Sequence, residues 1–117
     1  MVIVENILIG IIAILHFGFL VLEMFLWNKP FGMKTFNLTR ETAEASATLA
    51  ANQGLYNGFL AAGLIWGLWS GMTSVKIFFL ACIVLAGAFG GLTAKRSIIY
   101  IQGLPALIGL ILTLLAR

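Results

Sequence analysis

Charge is scarce in this chain. Seven Lys and Arg and four Asp and Glu make up 9% of 117 residues. A soluble domain carries about a quarter charged residues, and a chain this short leaves a large share of its surface exposed when folded. So few charges cannot cover that surface in water, which excludes an ordinary soluble globule, a disordered tail and a nucleic-acid-binding module. Cysteine is nearly absent too. Cys82 stands alone in an apolar run, which excludes an internal disulfide and a CxxC redox pair. One histidine, no cysteine cluster and scattered carboxylates give no metal-ligand set. The sequence has no phosphate loop, nucleophile elbow or dinucleotide fingerprint, so it implies no cofactor.

Apolar residues fill the space that charge leaves, at 62% of the chain. Four long runs stand out: about Asn6 to Trp27, Ala47 to Trp69, Val75 to Ala94 and Ser97 to Ala116. Each is close to the ~20 residues that cross a hydrocarbon core. Backbone groups in lipid must bond internally, and the ~10-residue alternation of a β-barrel is missing, so the spans should be helices. The expectation is an all-α, four-helix transmembrane bundle, a single integral membrane domain with membrane lipid as its first partner. The first run follows Glu5 rather than a basic segment and lacks a small-residue cleavage site, so it reads as a span and not as a signal peptide.

The first loop, Asn28 to Arg40, reads as the only extended one, with Pro30 and Gly32 ending the first helix. Asn37-Leu38-Thr39-Arg40, followed by Glu41 and Glu44, resembles a helix start. Gly103-Leu104-Pro105 is a break signal. A break there would leave about 13 residues after it, which reach roughly 20 Å and cannot cross. The third turn is therefore expected at Lys95-Arg96, with Pro105 as a kink. Lys29, Lys34, Arg40, Lys95 and Arg96 then lie on one side, and Lys76 and Arg117 on the other. The excess places the first and third loops in the cytoplasm and both termini outside, in a multi-pass protein of the plasma or inner membrane.

Small residues recur at four-residue spacing: Gly54 and Gly58; Gly63, Gly67 and Gly71; Gly87 and Gly91. This spacing fits close packing inside the bundle or the seam of a homo-oligomer, dimer or trimer. Polar residues at membrane depth are costly and usually face an interior or a cavity. His16 and Glu23 share a face of the first helix. Glu23 lies about 6 Å and His16 about 16 Å below Trp27. On the second helix Asn52 and Tyr56 share one face, Gln53 and Asn57 a neighbouring one. Counting depth from each end groups Glu23 with Asn52 and Gln102, and His16 with Asn57. These levels outline a polar pocket open to the cytoplasmic leaflet. The alternatives are single hydrogen bonds between helices, or pairing of Glu23 with Lys29.

Two stretches carry a family likeness. They are His16-Phe17-Gly18 through Glu23-Met24-Phe25, Trp27 and Lys29-Pro30-Phe31-Gly32, and then Asn52-Gln53-Gly54-Leu55-Tyr56-Asn57-Gly58 through Gly63. Together they resemble a family of small bacterial integral membrane proteins known only by a domain-of-unknown-function label, some members of which are called epimerases. The resemblance implies four spans and no particular activity. A second pattern, Pro30, Arg40, Asn52 with Tyr56, and Arg96 with Tyr100-Ile101-Gln102-Gly103, is similar to the membrane-associated eicosanoid and glutathione metabolism proteins. That likeness implies trimers and a thiol ligand held near Asn52, Tyr56, Arg96, Tyr100 and Gln102. Leu55 and Thr48 stand where that family has a glutamate and a base.

These observations leave three classes of function. The first is a binding protein whose pocket takes a small, partly apolar molecule, lined by His16, Glu23, Asn52, Tyr56, Asn57, Arg96, Tyr100 and Gln102. The second is an enzyme, with Glu23 or His16 as acid–base or with a thiol cosubstrate. The third is a structural or assembly protein whose polar groups only join helices.

Overall fold

The structure is a computed structural model and describes residues 1–116. Arg117, counted above among the outward charges, lies outside the described residues. Among the described residues every regular element is a helix: α1 (Val2–Met24), α2 (Pro30–Thr35), α3 (Arg40–Ser70), α4 (Thr73–Thr93), a π-helical segment at Ile99–Gly103 and α5 (Leu104–Leu115). All four apolar runs are therefore helical. α1 and α4 are long and apolar enough to cross a membrane by length and composition. The last helical stretch, Ile99–Leu115, is apolar but shorter.

The first loop differs from its sequence reading. α1 ends at Met24, before Pro30, and Pro30 opens a helix rather than closing one. Proline suits that first position, because its fixed φ is helical and its missing N–H has no helical partner there. Asn37, at φ 54°, stops α2. Its N–H bonds Lys34 O and the Leu38 N–H bonds Met33 O, the paired bonds of a Schellman cap. Thr39 then caps α3: its Oγ1 accepts the Thr42 N–H at 3.1 Å and bonds the Thr42 hydroxyl at 3.0 Å.

The chain divides into two compact units, Met1–Ala13 with Ala62–Arg117, and Ile14–Ala61. In the first unit Ile9, Ile12, Leu64, Leu80, Ile83 and Ala106 are buried. Glycines set its helix spacing. A Cβ at Gly87 would lie 2.5 Å from the Gly103 Cα and N, and one at Gly91 would overlap the Ile99 side chain. α4 therefore touches the π segment almost backbone to backbone. That segment lies just before Pro105. Pro105 cannot donate, and the Leu104 N–H reaches back five residues to Ile99 O. The wider turn thus absorbs the expected kink without ending the helix.

In the second unit the Gly54 and Gly58 face of α3 seats the end of α1. A Cβ at Gly54 would meet Met24 Cγ at 2.7 Å and Glu23 Cβ at 3.0 Å, and one at Gly58 would meet Leu20 Cδ1 at 2.5 Å. Gly54, Gly58, Gly87 and Gly91 thus each face atoms of their own chain.

Candidate functional site

The Ile14–Ala61 unit holds an open groove of about 300 Å³, lined by Glu23, Trp27, Ser46, Leu49, Ala50 and Gln53. Each wall follows from local structure. Glu23 sits in the last turn of α1, pressed close to α3 because Gly54 has no side chain. Past Met24 the Phe25 and Leu26 N–H groups both turn back to Val21 O, and the chain reaches Trp27. The Trp27 indole N–H donates to Ser46 Oγ at 3.0 Å, and its ring lies 4.9 Å from that of Phe36. Ser46 Oγ donates in turn to Thr42 O at 2.7 Å. With its only donor committed, Trp27 offers the groove carbon and π surface.

Asn57, 5% exposed, donates from Nδ2 to Glu23 Oε1 at 2.5 Å. Leu49 and Ala50 add apolar wall from the adjoining turn of α3. A carboxyl group, an amide and an indole around apolar carbon can hold a molecule that is part polar and part greasy. Among the described residues no three His, Cys, Asp or Glu side chains come together to hold a metal ion.

Depth counting grouped Glu23 with Asn52, but the structure joins Glu23 to Asn57. The reason is rotational. The glycine face of α3 meets α1, which turns Asn57 toward Glu23 and leaves Asn52 and Tyr56 exposed. Tyr56 makes an edge contact with Phe59 at 6.0 Å. His16 is buried, edge-on to Phe19 at 5.3 Å, and is not part of the groove wall. Arg96, Tyr100 and Gln102 belong to the other unit. Arg96 is exposed in the turn after α4, Tyr100 is exposed and Gln102 is half-buried on the π segment. Gln53, Trp27 and Ser46 were not among the expected ligand contacts. The Trp at a helix end and the Gln53–Asn57 face were the signals available.

A second polar cluster was missed altogether. In the Met1–Ala13, Ala62–Arg117 unit, Lys76 is 4% exposed and Glu5 is fully buried. Lys76 Nζ lies 3.3 Å from Glu5 Oε1 and donates to Asn6 Oδ1 at 2.8 Å. Gly67 makes room for the lysine stem, since a Cβ there would sit 2.9 Å from Lys76 Cγ. Lys76 is thus a buried partner of Glu5 and not an exposed orienting charge.

Comparison with known proteins agrees with the first resemblance. The model of a family described as protein of unknown function, DUF1304, matches residues 10–114. The chain belongs to the DUF1304 family. It is similar to the uncharacterized protein YpaA of Lactococcus lactis subsp. lactis (strain IL1403), with 34% identity over 115 residues, 95% of this chain and 97% of that protein. No solved structure matches it. Every groove residue and Lys76 fall inside the DUF1304 match, while Glu5 and Asn6 precede it.

Proposed function

We propose that this DUF1304 chain is a multi-pass protein of the cell membrane that binds a small, partly apolar molecule in the groove beside Glu23. The observation that carries the reading is that Glu23, hydrogen-bonded to the buried Asn57, lines an open groove with Trp27, Leu49, Ala50 and Gln53. An ionisable side chain within a span generally faces a partner or a cavity, and here it faces both.

The topology that goes with this reading has four spans and both termini outside, with the groove in the cytoplasmic half. Two helices long enough to cross support it. The last stretch, Ile99–Leu115, reaches about 26 Å at the helical rise, which local thinning of the bilayer accommodates. Single cysteines in a Cys82→Ser background test it. Thr35→Cys and Ser97→Cys should react with an impermeant maleimide only from the cytoplasmic side, and Ser74→Cys only from outside. Labelling of Thr35→Cys and Ser97→Cys from opposite sides overturns the topology.

The groove has its own test. Trp27, Trp66 and Trp69 are the only tryptophans, so Trp66→Phe with Trp69→Phe leaves Trp27 as the sole indole reporter. Decanol, a neutral amphiphile, should change Trp27 emission saturably in this protein. Gln53→Phe, at an exposed site on the groove rim, should block the groove and abolish the change. A response that never saturates, or that Gln53→Phe leaves intact, overturns the binding reading.

A further inference from the structure

α1 carries two carboxylates, and their surroundings differ. Glu5 has its cation inside the chain, at Lys76. Glu23 has none: among the described residues the ion pairs are Lys76–Glu5 and Arg40–Glu44. Lys29 and Lys34, close to Glu23 in sequence, are exposed and do not reach it. The partner of Glu23 is the amide of Asn57, which donates to one oxygen, Oε1. The carboxyl group also lines an open groove, so its missing counter-charge can come from outside the chain.

The rest of the groove narrows the chemistry of that counter-charge. Trp27 has already given its N–H to Ser46. What it has left is the π surface, which attracts cations and has little to offer an anion. Among the six lining residues Glu23 is the only ionisable one, and no lining side chain is basic. An anionic head would meet a carboxylate with no base beside it. Leu49 and Ala50 supply apolar wall suited to alkyl carbon. A carboxyl group, indole surface and apolar carbon in one groove are what recognise an alkylammonium group, whose positive charge favours the carboxylate form.

Resting on the binding reading above, we infer that the ligand of the groove is a cationic amine, its ammonium group paired with Glu23 and set against Trp27. A lipid-like amphiphile with an amine head and a small soluble amine share this chemistry, and the experiment separates them.

The sole-Trp27 protein, full length and in neutral detergent micelles, is titrated with decyltrimethylammonium, tetramethylammonium and decanol. Decyltrimethylammonium should bind at least tenfold more tightly than decanol. Glu23→Gln should remove that preference, because the neutral amide keeps the shape and loses the charge. If tetramethylammonium displaces the tailed cation at comparable concentration, the ligand is a soluble amine. If only the tailed cation binds, it is an amphiphile; either result supports the inference. Equal affinity for decyltrimethylammonium and decanol overturns the cation assignment and leaves the binding reading standing. Saturable binding by none of the three overturns both. The comparison of head groups in the unmutated groove does not depend on whether Glu23→Gln folds.

Discussion

Lys76→Met should destabilise this protein by about 3–5 kcal/mol, and adding Glu5→Leu should restore most of that loss. Two oppositely charged side chains lie 3.3 Å apart with almost no exposure. Taking the pair out of water is costly, and the attraction between partners offsets that cost only while both are present. Removing the lysine leaves Glu5 buried without its cation. Removing both replaces a charged pair with apolar volume, often a neutral change. Unfolding of the single and double variants in micelles, read as a double-mutant cycle, measures the coupling. The exposed Arg40–Glu44 pair, at 3.6 Å with both side chains more than half exposed, is the comparison. Arg40→Ala should change stability by about 0.5 kcal/mol or less. A Lys76→Met loss no larger than that would show that the buried pair is not what holds α1 to α4 in this unit.

The second large effect is expected at Gly32. A Cβ there would lie 1.8 Å from Leu26 O and 2.6 Å from Leu26 C. Both atoms are backbone, so no rotamer change relieves the overlap. Gly32→Ala must push α2 away from the turn that follows α1, at about 3 kcal/mol, the upper end of the usual range for overpacking. The turn continues directly into Trp27, so the same substitution should also weaken the decanol response of the groove. Gly18→Ala is the control. Nothing lies within 4 Å of a Cβ at Gly18, and alanine in a helix interior gains roughly 0.5–1 kcal/mol over glycine. Thermal unfolding of both variants in one detergent should separate them clearly. Similar midpoints would mean that the α2 contact contributes little to the fold.

Much of the local architecture was legible because it depends on short-range chemistry. Apolar run length set the four helical stretches. Asn37-Leu38-Thr39-Arg40 with Glu41 and Glu44 resembled a helix start, and α3 begins at Arg40; that the Thr39 hydroxyl accepts the Thr42 N–H is seen only in the structure. The chain turns after Thr93, close to the Lys95-Arg96 pair, and helical backbone continues through Pro105. Pro30 was misread because one residue can stop a helix or start one, and which it does depends on where the preceding helix has already ended.

The candidate site was legible only in part. Glu23 and Asn57 were both singled out, but depth counting measures distance along a helix and not rotation about it. Rotation of α3 is set by where a neighbour's atoms fit, and Gly54 and Gly58 settle that by leaving room for Leu20, Glu23 and Met24. Gln53 therefore lines the groove while Asn52 does not.

The sequence by itself determined that the chain is helical and poor in charge, and it singled out Glu23 as a lone carboxyl group in an apolar run. Those properties are sums over neighbours along the chain. Only the tertiary structure decided what each scarce charge does. It buried Lys76 against Glu5, 71 positions away, and left Glu23 with an amide in place of a cation. Pairing between distant residues depends on which helix faces come together, and close contact of backbones at glycines, not hydropathy, selects those faces.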